Sequence, residues 1–270
     1  MNFSAILGLL TDLYLAFKFA LVPSLLDTAR QPSLLIRPIA LSRIFMAHVW
    51  TAFGPGVDEN SRLEKQKLIT PYAHGVVLDA GAGHGHTMLY LDPAKVTKYV
   101  AVEPNADMHQ HIRRKAAGAG FNEADGTLVL LGCGIEDIGT IRAALNANGP
   151  CVDTIVSVLT LCTVPEPQRT IQALVDDILR PGGAFLFYEH VLSHRADVAW
   201  WQQFWAPIWQ IPFDGCRLDR PTHLWISEVR DSKKERTGSV WAAQNVWGKD
   251  GETEDTLFWH RAGNFVKRLD

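Results

Sequence analysis

Cysteine is scarce. Cys133, Cys151, Cys162 and Cys216 are the only four in 270 residues, too dispersed to form a paired metal-ligand spacing. No metal site and no disulfide framework are therefore expected, and reduced, buried thiols point to a reducing intracellular compartment. A basic surplus is also missing, with 26 Lys and Arg against 29 Asp and Glu and a net charge of −3. Without an electropositive face, nucleic acid is excluded as a substrate. There is no internal repeat and no low-complexity tract, which removes solenoids and disordered chains from consideration. What is present is 47% hydrophobic residues in a chain long enough to bury a sizeable core.

Residues 76–86, VVLDAGAGHGH, organise the rest. An apolar run and Asp79, then Gly81, Gly83 and Gly85, predict a buried strand that breaks into a tight turn before a helix. Glycine suits such a turn because it tolerates positive φ and lets a ligand lie directly on the backbone. The spacing is GxGxG, neither the GxGxxG of dinucleotide sites nor a phosphate loop, and no Lys with Ser or Thr follows to hold phosphate and magnesium. About eighteen residues on, the apolar run 99–102 ends in Glu103, Pro104 and Asn105, where a carboxylate at a strand end can accept both ribose hydroxyls. A ribose-bearing ligand without pyrophosphate fits both features. S-adenosylmethionine, an adenosine joined to a sulfonium and an amino acid, is such a ligand.

Residues 3–26 form an apolar stretch long enough to span a bilayer. Ser4, Gly8, Thr11, Asp12 and Lys18 nevertheless fall on one arc of a helical wheel, and the two charges would be costly in mid-membrane. A helix on a membrane surface, a lid over the site and an ordinary packed helix all stay open. The stretch lacks the basic start and small-residue cleavage site of a removable signal. Pro23, Pro32 and Pro38 read as a connector, separating an N-terminal helix and connector (1–40) from a domain over 41–270. Helical patterns resume at 41–53 and 64–69. From there, strands at 76–80, 98–103, 127–132, 152–158 and 183–189 alternate with helices at 86–91, 107–118, 136–146 and 166–179. Segments 237–247 and 257–267 would close the sheet as an antiparallel pair. Such alternation predicts an α/β fold with a parallel sheet covered on both faces and a ligand beyond the strands' carboxyl ends.

The candidate site residues lie at those ends. Asp79, Gly81, Ala82, Gly83 and Gly85 would cradle the methionine end, and Glu103, Pro104 and Asn105 the ribose. Ile135 and Glu136 could read an adenine edge, although Glu136 and Asp137 equally suit a helix start. Leu159 to Cys162 leave the fourth strand toward the methyl group, Leu159 and Thr160 as cofactor contacts and Leu161 and Cys162 as the start of a substrate wall. His190 and His223 are the candidate general bases, and a lone His serves as readily as a structural residue. The aromatic stretch 200–214 offers Trp205, Trp209, Phe213 and Asp214 as a substrate wall, or simply as core.

With these residues assembled, the chain resembles the class I S-adenosylmethionine-dependent methyltransferases over residues 45–267. Within them it is similar to a branch of membrane-associated thiol S-methyltransferases. VLDAGAGHG, VEPN, TLCTV and LRPGGAF followed by EHV carry the likeness, and the tryptophan-rich stretch ending in FDGC narrows it to that branch. His84 stands where the branch tends to have Thr or Ser. The resemblance implies a Rossmann-like fold with a mostly parallel seven-stranded sheet, helices on both faces and an N-terminal apolar helix. It implies S-adenosyl-L-methionine as cofactor, with S-adenosyl-L-homocysteine left behind, and a small apolar acceptor, a thiol sulfur being favoured. A thiol with a pKa near ~8.5 already supplies thiolate at neutral pH and needs little help from a base. Methylation of oxygen, nitrogen or carbon in a lipophilic metabolite, and a non-methylating cyclase or isomerase, are the alternatives. A cytoplasmic enzyme associated with the endoplasmic reticulum membrane through residues 3–26 is the expected setting.

Overall fold

Val77 and Leu78, Tyr99 and Val100, Ile155 and Val156, and Phe185 and Leu186 are fully buried neighbours along their strands. Successive side chains of a strand point to opposite faces, so such runs are stable only in a sheet covered on both sides. The computed structural model, which describes residues 3–231 and 238–269, shows this arrangement. Leu78, Val100, Ile155 and Phe185 belong to one apolar layer, and Val77, Tyr99, Val156 and Leu186 to the opposite one. Burying each such side chain contributes about 1.5–3 kcal/mol.

The strands are β1 (Gly75–Ala80), β2 (Val96–Val102), β3 (Leu128–Leu131), β4 (Val152–Val158), β5 (Leu179–His190), β6 (Trp241–Gly248) and β7 (His260–Lys267). Their spatial order is β3-β2-β1-β4-β5-β7-β6. The first five run parallel, and β7 lies antiparallel between β5 and β6. From β1 the chain winds outward through β2 and β3, then returns to β4 and winds the other way. The order reverses between β1 and β4, which opens a crevice at their carboxyl ends.

The expected series of strands is present, with shifted bounds. β5 begins four residues before the predicted strand and runs through Pro181, Gly182 and Gly183. Val152 pairs with Leu179 and Thr154 with Ala184, so those residues form a bulge in the strand, and Gly182 supplies the φ of +76° that it needs. The helices expected over 107–118 and 136–146 are α4 (His109–Gly118) and α5 (Ile138–Ala144), and the one expected over 166–179 is α6 (Pro167–Ala173) followed by a wider-wound turn, Leu174–Ile178. Position 237, the expected start of the final pair, lies outside the described residues; β6 and β7 form the pair itself.

Among the described residues three α-helices precede the sheet, α1 (Phe3–Arg30), α2 (Pro38–Asn60) and α3 (Arg62–Ile69), with a short 3-10 turn at Pro32–Ile36 between the first two. Pro23 does not end α1, and α2 starts on Pro38, whose missing N–H is no loss at a first helical position. Leu9, Ala16 and Ala20 of α1 are buried in a third apolar cluster with Phe45 and Val49 of α2 and with Trp209 and Phe213. His48 Nε2 lies 2.7 Å from Asp27 Oδ2, tying α2 to the end of α1. The remaining surface of α1 is apolar and uncovered, with Leu7, Tyr14, Val22, Leu25 and Leu26 exposed beside the charges of Asp12 and Lys18. By length and composition, Leu7–Arg30 could cross a membrane.

Candidate functional site

The turn after β1 holds Gly81, Gly83 and Gly85 at φ of +67°, +54° and +74°, left-handed values that strain any residue with a Cβ. Each glycine answers a different need. A Cβ on Gly81 would stand 2.5 Å from Thr160, and one on Gly85 would stand 2.6 Å from Met88, so these two permit close packing. A Cβ on Gly83 would meet nothing closer than 4.0 Å, because Gly83 faces a cavity of about 810 Å³. Lys115 Nζ donates to the His84 carbonyl at 2.9 Å and fixes the turn from outside.

Glu103 follows β2 and closes the cradle. Its two carboxylate oxygens accept the N–H of Gly83 at 2.9 Å and of Asn105 at 2.8 Å, which holds the carboxylate against the cavity. One partner per oxygen leaves each with a further lone pair for a ligand hydroxyl. Burial pushes the Glu103 carboxyl above its usual range, against the pull of those two N–H groups. Asn105 shapes the turn by accepting the Asp107 N–H, and donates through Nδ2 to the Arg43 carbonyl of α2. Gly134, Ile135 and Glu136 line the cavity beyond β3, while Asp137 caps α5 (Ile138–Ala144) by accepting the Thr140 N–H. The helix-start role therefore belongs to Asp137, and Glu136 keeps its place on the cavity. At the β4 exit, Thr160 donates to the Ala80 carbonyl at 2.8 Å, and Leu159 sits at φ +55°, a strained position for leucine.

Sequence reasoning misses a polar cluster from α2, α3 and the turn itself. Asp58 is buried with Lys65, accepts the Tyr90 hydroxyl at 2.9 Å and has His86 Nδ1 3.4 Å from its other oxygen. His86 Nε2 is buried without a hydrogen-bond partner among the described residues, and burial lowers the pKa of this ring. Burial likewise pushes His84 down to about 4. Asp58, Lys65, His84 and His86 all line the cavity. An anion, a cation and a neutral imidazole in one pocket suit a zwitterionic amino-acid group. Apolar walls come from α2, with Ile39, Met46 and Trp50, and from Val164 and Ile211.

A methyltransferase-domain family model matches residues 57–226, well over half of the chain. The chain belongs to this S-adenosylmethionine-dependent family. Thiol S-methyltransferase TMT1B of Homo sapiens is 30% identical over 190 residues, covering 67% of this chain and 73% of the relative. Thiol S-methyltransferase TMT1A of Homo sapiens is 29% identical over 172 residues, 62% of this chain; the match spans 64% of TMT1A's own length. Among solved structures, the YcgJ protein of Bacillus subtilis superposes with a TM-score of 0.51 at 13% identity, over 78% of this chain and 98% of that one. An O-methyltransferase family protein from Burkholderia thailandensis gives 0.51 at 14% identity, over 85% and 60%. Both likenesses concern the fold.

The methyltransferase does not bring every expected residue to the cavity. Gly81, Ala82, Gly83, Glu103, Pro104, Asn105, Ile135, Glu136, Leu159 and Thr160 line it. Gly85 stands behind, packing the turn on Met88 and Ile112. Asp79 lies beneath the turn, where its carboxylate accepts the Tyr99 hydroxyl; burial pushes its pKa to about 7 and it does not reach the lining. Of the expected substrate wall only Asp214 lines the cavity, 3.4 Å from Arg43. Trp209 and Phe213 stack at 4.1 Å, and with Trp205 and Cys162 they pack in the cluster beneath α1, while Leu161 is buried in the sheet core. Trp205, Trp209 and Phe213 thus build core, whereas Trp200 and Phe204 of the same run are exposed.

Neither expected base faces the cavity. His190 is buried at the end of β5 with Nε2 3.5 Å from Cys216, and His223 lies edge-on to Trp259, its pKa pushed down to about 4 by burial. Glu189, beside His190, has a structural task. Its Oε1 accepts the Ser157 hydroxyl and the N–H groups of Thr160 and Leu161, which fixes the β4 exit.

Proposed function

We propose that this methyltransferase moves the methyl group of S-adenosylmethionine to the sulfur of a small apolar thiol. The observation that carries the acceptor class is an apolar wall of Ile39, Met46, Trp50, Val164 and Ile211, with neither His190 nor His223 on the lining. The imidazoles that do line the cavity, His84 and His86, are weakened as bases by burial, so a nucleophile that ionises with little help suits this pocket, and a thiol does. The names of the related thiol S-methyltransferases support the same reading. When bound, the cofactor supplies an activated methyl on a positively charged sulfur.

The chain's own contribution is positioning and exclusion of water. Gly83 leaves room over the backbone, Glu103 would accept from the ribose hydroxyls, and Ile135 with Glu136 would flank the adenine. Lys65, Asp58 and His86 would face the amino-acid end. Met46 and Trp50 would cover the acceptor side and help to position the incoming sulfur. A second reading, methylation of oxygen or nitrogen, is favoured by one observation. Asp214 faces the cavity with its pKa raised by burial, as suits a proton acceptor.

Transfer of radiolabelled methyl to alkyl thiols, phenols and amines of matched size separates these readings. Preferential labelling of thiols is expected; labelling of phenols or amines that is abolished by Asp214→Asn would overturn the thiol assignment. We also infer that the uncovered apolar face of α1 rests on a lipid surface. Liposome flotation of the full chain against a chain lacking residues 1–30 checks this, and equal flotation of the two would sink it.

A further inference from the structure

Three donor atoms converge outside the cavity. Cys162 leaves the β4 exit, His190 ends β5, and Cys216 lies seven residues beyond α7 (Ala196–Trp209), yet Cys216 Sγ is 3.5 Å from both Cys162 Sγ and His190 Nε2. All three donor atoms lie within 4.8 Å of one another and all three residues are buried. Both thiols are free. A tetrahedral zinc ion with Zn–S bonds of about 2.3 Å and a Zn–N bond of about 2.0–2.1 Å spaces its sulfurs about 3.8 Å apart and sulfur from nitrogen about 3.6 Å apart. Two of the three observed edges, both 3.5 Å, lie within about 0.3 Å of these lengths. A disulfide, at about 2.05 Å, would use only the sulfurs and leave the imidazole without a task.

We propose that Cys162, His190 and Cys216 form a three-ligand zinc(II) site, with the fourth position left to a non-protein donor. On binding, the two thiols release their protons to solvent and the imidazole donates its Nε2 lone pair. Two thiolates and one divalent cation then sum to zero charge, as the apolar surroundings of Trp209, Phe213, Leu218 and Phe258 require. The ion ties together segments that wall the cavity. Thr160 and Thr163 flank Cys162 on the lining, and Gly215 precedes Cys216. The Arg217 N–H donates to the Cys162 carbonyl at 3.0 Å, and the Arg220 guanidinium to the Leu161 and Val164 carbonyls, so the two segments are already in register.

The test uses tag-free full chain, stripped with a chelator under reductant, reloaded with zinc and desalted. Elemental analysis is expected to find one zinc per chain, falling to background in Cys162→Ser and Cys216→Ser and unchanged in Cys151→Ser. Cobalt(II) loaded into the unaltered chain is expected to give thiolate-to-metal charge transfer and the intense visible bands of a tetrahedral ion, which keeps the test independent of whether the variants fold. Zinc is also expected to shield Cys162 and Cys216, but not Cys151, from alkylation on peptide mapping. No zinc retained by the unaltered chain, full zinc retained by Cys162→Ser/Cys216→Ser, or a Cys162–Cys216 disulfide in place of metal would each overturn the proposal.

Discussion

Replacing Glu103 by Ala removes the carboxylate that accepts the Gly83 and Asn105 N–H groups at 2.9 and 2.8 Å. If the same oxygens also accept the two ribose hydroxyls, two charge-assisted hydrogen bonds to the cofactor vanish, each contributing about 1.5–3 kcal/mol. Taking the lower figure twice gives about 3 kcal/mol, or a Kd about 150-fold weaker. Stability should fall too, because two backbone donors lose a buried partner, at a cost of about 1–3 kcal/mol. Calorimetric titration with S-adenosylmethionine and S-adenosylhomocysteine reads the first effect, and thermal unfolding of the unliganded protein reads the second. Glu103→Gln sharpens the comparison: it keeps the size but sets an amide NH₂ against one backbone donor. Affinity unchanged within about threefold alongside a lowered Tm would refute the ribose role and leave the carboxylate a turn support. Since burial raises the Glu103 pKa and the charged form makes the contacts, affinity should decline with falling pH sooner than for an ordinary glutamate.

Three further outcomes follow from the same geometry. Gly83→Ala should weaken cofactor binding by calorimetry more than it lowers Tm: the added methyl meets only the cavity, and the left-handed φ costs about 1–2 kcal/mol. Asp79 has its folded pKa raised from 3.8 to about 7, so its stability contribution is full below the lower value and is lost as pH rises through the upper one. The unaltered protein's Tm should therefore drop across that interval, and Asp79→Asn, scanned by calorimetry over the same pH range, should flatten the drop. Lys65→Met should destabilise by about 3–5 kcal/mol by stranding Asp58. Adding Asp58→Asn should restore the denaturation midpoint but not the cofactor affinity.

Local signals made the sheet legible. The apolar runs of β1, β2 and β4, the three glycines and Glu103 each declare themselves within a few residues, and their position at strand ends follows from the parallel topology. The wall from α2 was not legible, because Ile39, Met46, Trp50 and Asp58 follow an ordinary helical pattern and gain meaning only when α2 lies across the crevice. Asp79 misled for the opposite reason. It borders the glycine turn in sequence, but strand alternation turns it toward Tyr99. The aromatic run 200–214 announced something dense, and composition alone could not say whether it faced a substrate or α1. Cys162, His190 and Cys216 had no mutual spacing to find, since each rides a different segment into the same layer.

The placement of β7 between β5 and β6 has a consequence for biosynthesis. Synthesis proceeds from the amino end, so β6 emerges before β7, the one strand beside it in the sheet among the described residues, and the flank of β5 stays raw until residues 260–267 have been made. Phe187 and Trp241, which meet Phe265 edge-on, lack that ring in the interval, although Trp241 already has Phe185 and the Ile226 carbonyl beside it. A nascent chain paused there would present an open sheet edge and incompletely covered rings together, the combination that holdase chaperones and errant strands both seek.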